Sequence, residues 1–225
     1  MKVTLISNYL DDTAVANFAR KSFNDDAAKY TDAQNAQLIK YLARGVPTSD
    51  WEQMEEDVVS TTSLGKAHNL LTYVRSIPCH FAPFSHPQIS LNLEAPVPIA
   101  RQMFKHKVGF IESEESRRYI SVKPQFFYPE IWRDAAANVK QGSASTTHKD
   151  NEELKTLYAD CCDYCEYRYL DFINRGVCPE QARFLLPQGT EVRWSLTGSL
   201  FAFANLYNQR SDSHAQKEIQ DLAED

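Results

Sequence analysis

From Glu152 to Asn174, Leu154, Leu157, Tyr158, Cys161, Cys165, Tyr169 and Phe172 recur at helical spacing, and Gly176 follows where a helix stops in a left-handed residue. A helix of this length draws most of its stability from burying its apolar stripe, so the chain must supply a surface to receive it. Ile89-Ser-Leu-Asn-Leu-Glu94 reads as a half-buried strand, with Ile89, Leu91 and Leu93 alternating with Ser90, Asn92 and Glu94. Pro96 and Pro98 end that ladder and set up a helix start.

The remaining segments fit around this pair. Residues 1–10 read as an edge strand, with Val3 and Leu5 on one face. Val15, Phe18, Ala19 and Phe23 give a helix over residues 12–23. Leu38, Ile39 and Leu42 give another over 33–43, with Gly45 as its stop. Residues 46–78 mix an acidic run with Ser, Thr and Gly and read as an insertion within a single domain of residues 1–225. The polar stretch 138–151 reads as an exposed loop. Short helices are predicted over 181–186 and 200–209, and a final one over 214–224 capped by Asp212. Strand, helices, strand, helices is an α+β order, with most of the sheet early or central.

Charge narrows the function classes. With 24 Lys+Arg against 30 Asp+Glu the net charge is −6, which argues against a nucleic-acid partner, so any basic site is local. No run approaches the ~20 apolar residues of a membrane helix, and the first residues lack the apolar core of a signal peptide. Five cysteines without an export signal point to free thiols in the cytoplasm. Cys161, Cys162 and Cys165 lie inside the helical stripe without a second ligand pair, so they read as helix thiols and no metal is expected.

The densest polar segment, Arg101 to Tyr119, holds Arg101, Lys105, Lys107, Arg117, Arg118, His106 and three carboxylates. A solvated helix laced with ion pairs is the plain reading. Three features oppose it. Gly109 interrupts the helix, Phe104, Val108, Phe110 and Ile111 draw the segment toward the core, and Ser116-Arg117-Arg118 offers a hydroxyl and guanidinium forks suited to a phosphate.

The segment RQMFKHKVGFIESEESRRY resembles the signature of the flavin-dependent thymidylate synthases, the ThyX family, and within it the phage-like branch with Lys-His in place of Arg-His. Four further blocks in the same order are similar to that family: Ala19–Phe23, His80–His86, Glu180–Pro187 and Arg210–Glu218. The resemblance implies an α+β, ThyX-like fold, with a central antiparallel sheet flanked by helices, and a homotetramer with sites where subunits meet. It also implies reductive methylation of dUMP to dTMP, with methylenetetrahydrofolate as carbon donor, FAD as hydride carrier and NADPH as reductant. By resemblance, Gln102, Lys105, Glu114, Glu115, Ser116, Arg117, Arg118, Arg183 and Arg210 hold dUMP, with Arg118 and Arg183 at the phosphate. Arg210 at the uracil edge takes the catalytic role. His80, Ser85, Lys105, His106, Lys107, Ser113, Glu114, Ser199, Asn205 and His214 match FAD positions. Ser85 and Ser113 stand where the family usually has Glu and Asn, and Phe201 where it often has Arg. Those departures on the flavin side keep two alternatives open: a relative that hydroxymethylates dUMP, and a nucleotide-binding homologue without catalysis.

Overall fold

The computed structural model describes residues 1–8, 12–23, 25–43, 80–137 and 142–225, and the predicted insertion at 46–78 and the stop at Gly45 lie outside them. The chain divides into two compact units, residues 1–7, 90–198 and 205–225 in one and residues 8–89 and 199–204 in the other.

The first unit is built on strands β1 (Lys2–Asn8), β2 (Gln88–Pro96), β3 (Phe110–Glu114) and β6 (Glu191–Ser199), ordered β1-β2-β6-β3, with β3 antiparallel to β6. It is the expected antiparallel sheet flanked by helices, and β1 is at an edge as predicted. The alternation in β6 sorts its two faces. Trp194, Leu196 and Gly198 are buried, whereas Arg193, Ser195 and Thr197 join Glu94, Asn92 and Ser90 of β2 in a polar ladder with contacts of 3.0, 2.8 and 2.9 Å. On the buried face the Phe104 ring meets Trp194 edge-on, and Gly198 lies opposite Phe110. A Cβ on Gly198 would lie 2.4 Å from the Phe110 ring, so the glycine makes room for that aromatic.

Pro96, extended at φ −66° and ψ 153°, ends β2 and turns the chain into helix α4 (Val97–Met103). Pro98 occupies the first turn, where no amide hydrogen is needed, and Ile99, Ala100 and Met103 are buried. Gly109 at φ 80° breaks any continuation, as the sequence predicts. Val108 and Ile111, expected to be drawn inward, are instead 91% and 76% exposed. Both flank the Gly109 turn on the sheet edge, where only Phe110 reaches the core.

The long helix is present as α5 (Asn151–Asn174). Val177 N donates to Phe172 O and Gly176 N to Ile173 O, closing it around Gly176 at φ 87°. Its buried stripe, however, runs through Cys162 and Tyr169, while Leu157, Cys161 and Phe172 are exposed. The reason is polar. Tyr158 and Tyr169 donate their hydroxyls at 3.1 Å to Phe127 O and Ile120 O, and this rotates the helix toward the segment that carries those carbonyls.

A second correction concerns 138–151, predicted as a loop. Residues Ser143–Thr147 form strand β5, paired with β4 (Arg133–Ala135). This ribbon is held by polar cross-strand bonds, Arg133 Nε to Ser143 Oγ at 2.6 Å and Thr146 Oγ1 to Asp134 Oδ2 at 2.8 Å, so no apolar alternation announces it. The segment predicted as a helix over 181–186 is the short α6 (Pro179–Ala182) followed by a 3-10 turn, Arg183–Leu185. The last helix, α8, begins at Lys217 rather than His214. Asp212 caps a turn instead, accepting His214 N on its side chain and Ala215 N on its carbonyl. Ile219 and Leu222 of α8 are buried, and Glu218 pairs with Arg133 at 2.6 Å, with 14% and 18% of the two side chains exposed.

The second unit contains α1 (Asp12–Arg20), α2 (Asp32–Ala43), α3 (Ala82–Ser85) and the first residues of α7 (Leu200–Arg210). Val15, Ala16, Ala19 and Leu42 form its core. Arg20 ties α1 to α2: it donates twice to Asn35 Oδ1, at 3.1 and 3.3 Å, and its guanidinium lies 3.4 Å from the Tyr30 ring centre. Among the described residues no helix is long and apolar enough to cross a membrane.

Two stability outcomes follow. Gly198→Ala forces the Phe110 ring from its place and lowers stability by about 1–3 kcal/mol, read from chemical denaturation. Burial works to raise the Glu218 carboxyl, but hydrogen bonds from Arg133 and Gln216 outweigh it and hold it below its ordinary 4.5. The pair therefore contributes fully above that value, and its contribution is lost as pH falls through the lower folded value. Glu218→Ala costs about 3–5 kcal/mol at pH 7 by leaving Arg133 unpaired. The gap to wild type narrows in denaturation curves taken below about pH 4.

Candidate active site

Helix α4 ends in overlapping turns, with Phe104 N on Ala100 O, Lys105 N on Gln102 O and His106 N on Met103 O. These turns and Gly109 set Lys105, His106 and Lys107 in a compact bend between α4 and β3. Arg210, the last residue of α7, reaches this bend: Nε donates to His106 Nε2 at 2.8 Å and Nη2 to Gln102 O at 3.1 Å. A cation suits a helix C-terminus, and two internal bonds fix the orientation of its fork. Burial first, and the Arg210 charge second, push the His106 imidazole below its ordinary 6.5. The ring is therefore neutral at pH 7, accepts at Nε2 and carries its proton on Nδ1.

Gln102 extends the cluster. Its Nε2 donates to Gln216 Oε1 at 2.8 Å, and Gln216 Nε2 donates to Glu218 Oε2 at 2.8 Å. Gln102, Arg133, Ser143, Arg210, His214 and Gln216 line an open cavity of about 580 Å³. His214 is exposed at its rim, with Nδ1 2.9 Å from Asp212 Oδ1.

A second cluster forms beyond the end of β3. Arg118 Nε is 3.4 Å from Glu180 Oε2, and Arg183 Nε donates to the Glu180 carbonyl at 3.3 Å, so one residue of α6 gathers both arginines. Ser116 Oγ accepts from Arg118 N at 3.3 Å. Partial burial pushes the Glu114 carboxyl up, and nearby Arg183 pulls it back. The Arg118–Glu180 pair is exposed and long, a contact that a phosphate dianion can displace at small cost. Arg117 is committed elsewhere, donating to Val122 O at 2.9 Å beside the Tyr169 ring, and Glu115 lies 3.9 Å from Arg193.

The other predicted residues are dispersed. Lys105, Ser113 and Asn205 are exposed, and Lys107 is ion-paired with Glu112. His80, Ser85 and Ser199 belong to the second unit. Ser85 Oγ donates to Phe81 O at 3.1 Å, and buried Ser199 accepts Ala202 N at the start of α7. His80 stacks on Tyr41 and lines, with Leu38, Phe81 and Pro83, a mainly apolar cavity of about 640 Å³.

Sequence reasoning assigned no role to Arg133, Glu180, Gln216 or Glu218. The last three stand inside the blocks Glu180–Pro187 and Arg210–Glu218, so their positions were in view. Arg133 had no such signal, because the ribbon that carries it is invisible to hydrophobic patterning.

The profile of the Thy1 family, described as thymidylate synthase complementing protein, matches residues 4–225. A flavin-dependent thymidylate synthase of Thermosipho africanus is 33% identical over 70% of this chain and 69% of its own length. One from Thermus thermophilus is 30% identical over 98% of this chain and 68% of its own. The crystal structure of a UMP/dUMP methylase, PolB from Streptomyces cacaoi, bound with 5-Br dUMP, superposes with a TM-score of 0.70 at 23% identity. It covers 99% of this chain and 86% of that one, a likeness of fold. With almost the whole sequence inside one family profile, the chain belongs to the thymidylate synthase complementing protein family, Thy1 or ThyX, a family of enzymes.

Proposed function

We propose that the chain is a flavin-dependent thymidylate synthase that methylates dUMP to dTMP. Methylenetetrahydrofolate gives the carbon and NADPH the reducing equivalents, and FAD is the bound cofactor. The observation that carries this reading is the Arg210–His106–Gln102 cluster beside a cavity of about 580 Å³, set within a family match over residues 4–225. The names of the relatives, flavin-dependent thymidylate synthases and a UMP/dUMP methylase, support the substrate and the flavin.

The residues present fit a flavin dinucleotide. Lys105 and Lys107 bracket His106 on an exposed bend, a cationic donor set matched to a pyrophosphate. Taken by itself, the His80–Tyr41 cavity of the second unit has a mainly apolar lining, which suits an aromatic group. Ser113, Asn205 and His214 are the further candidates for FAD contacts in the first unit, and Ser85 and Ser199 in the second. When bound, the flavin supplies hydride transfer.

The chain's own residues do the rest. Arg118 and Arg183 hold the phosphate of dUMP, with Ser116 adding a hydroxyl and Glu114 lying near Arg183. Arg210 is the catalytic cation. Its fork, held by His106 and Gln102 O, stabilises negative charge developing on the uracil ring without reorganising. His106 stays neutral, so it does not compete with Arg210 for that charge.

A homotetramer with shared sites is part of the reading. Exposed Leu157, Tyr164 and Tyr167 on α5 and both Leu5 and Ile6 on edge strand β1 offer apolar surface for subunit contact. The four described cysteines are free thiols, in keeping with a cytoplasmic setting.

Purified protein is expected to be yellow with bound flavin and to turn dUMP, methylenetetrahydrofolate and NADPH into dTMP. Chromatography that finds 5-hydroxymethyl-dUMP as the main product refutes the methylation, and protein that binds dUMP but takes up no flavin refutes the cofactor. Arg183→Ala is expected to weaken dUMP binding by about 10- to 150-fold, the worth of a charged hydrogen bond of roughly 1.5–3 kcal/mol. Calorimetry showing unchanged dUMP affinity removes Arg183 from the site.

A further inference from the structure

The run Cys161-Cys162-Asp163-Tyr164-Cys165 lies wholly within α5, and the helix divides its thiols. Cys162 is fully buried, in hydrogen-bond contact with the Tyr158 hydroxyl. Cys161 is exposed and Cys165 half-buried, four residues apart and therefore on the same side of the helix. Their thiols are in hydrogen-bond contact with each other. Leu157, one turn before Cys161, and Tyr164, one turn after it, are both exposed, so the pair opens on an apolar stretch of surface.

Helix geometry then decides what can join the two sulfurs. Cβ atoms at this spacing are about 5–6 Å apart. A disulfide needs about 3.5–4.5 Å, so α5 cannot close the pair on itself without distortion. One atom inserted between the sulfurs removes the misfit: at about 2.3 Å from each, the length of a zinc–thiolate bond, it lets them stand up to about 4.6 Å apart. Among the described residues no group of three His, Cys, Asp or Glu is placed to hold a metal ion, so a centre that requires three or four protein ligands is not served. A soft centre that prefers sulfur and needs only two ligands is.

We propose that Cys161 and Cys165 form a dithiol site on α5 for a soft, thiophilic centre that takes two sulfurs: Cu(I) among ions, a monosubstituted trivalent arsenical among small molecules. Cu(I) forms two Cu–S bonds and releases both thiol protons to solvent. An arsine oxide, R–As=O, forms two As–S bonds and loses its oxygen as water with the two thiol protons, so neither arsenic nor sulfur changes oxidation state. The second bond forms within the chain, at an effective concentration of about millimolar or above, and the chelate outlasts any single-thiol adduct. Neither cysteine belongs to the proposed nucleotide and flavin set, so the site stands apart from that reading.

The test uses the reduced full-length chain, without denaturant, and two probes: phenylarsine oxide, and Cu(I) presented as its complex with a colorimetric chelator. Mass spectrometry is expected to show a phenylarsine adduct that consumes two thiols, is retained against excess glutathione and is released by 1,2-ethanedithiol. Cys161→Ser and Cys165→Ser are each expected to weaken retention of the arsenical by about a hundredfold or more and to stop Cu(I) transfer, with helix content by circular dichroism unchanged. Cys161 is exposed, so its variant decides the matter even where Cys165→Ser does not fold. Cys178→Ser removes another exposed thiol and is expected to behave as wild type. Capture of Cu(I) alone assigns the site to ions and capture of the arsenical alone assigns it to organic thiophiles, and either upholds the dithiol. A wild type that captures neither probe overturns it, as does a Cys161→Ser variant that holds both probes as tightly as wild type.

Discussion

The bond from Arg210 to His106 and to the Gln102 carbonyl is the contact on which the site depends. The two central strands of the sheet each run directly into a helix, β2 into α4 and β6 into α7, and the C-terminal ends of those helices meet through this one guanidinium. Sheet register thus becomes site geometry. A shift of β6 by one residue would turn Trp194 and Leu196 outward. Packing of Phe104 against Trp194 and of Phe110 over Gly198 opposes such a slip on the buried face. Pairing of Arg193 with Glu94 opposes it on the other.

Electrostatics in the site is a matter of which groups are denied charge. The chain carries a net −6, yet Arg118 meets Glu180 through a long, exposed contact and Arg210 is held by an imidazole and a carbonyl rather than a carboxylate. His106, packed against Arg210, cannot protonate without putting two cations in contact, and burial already disfavours its charged form. Glu114 is likewise eased toward neutrality by burial, with Arg183 as the counterweight. On the proposed reading, such groups leave the arginines available for an anionic ligand.

Much of this was legible in the sequence where local rules and burial agree. The Pro96-Val97-Pro98 junction, the Gly109 break and the Gly176 stop all fell where backbone chemistry demands them. The misses share one cause, which is polar stabilisation that hydrophobic periodicity does not register. The β4–β5 ribbon hangs on Ser, Thr, Asp and Arg side chains, and α5 is rotated by two tyrosine hydroxyls reaching backbone carbonyls. The same blindness hid Arg133. The resemblance names Gln102, His106 and Arg210, and the structure brings these three together. What could not be read was that Arg210 is held by a neutral imidazole, since that requires knowing which groups are buried together.

The row of hydrogen bonds from Arg133 through Glu218 and Gln216 to Gln102 shows how a wall made of amides acquires direction. Amide side chains both accept and donate, so a row of glutamines by itself has no fixed direction. Direction enters only where a group of fixed character terminates the row. Arg133 and Glu218 are such a terminus, one all donor and the other all acceptor, and their mutual burial keeps both from being satisfied by water instead. The cost of desolvating that pair is offset by its own hydrogen bonds. A buried ion pair that contributes little net stability can in this way persist for the orientation it imposes on neutral neighbours.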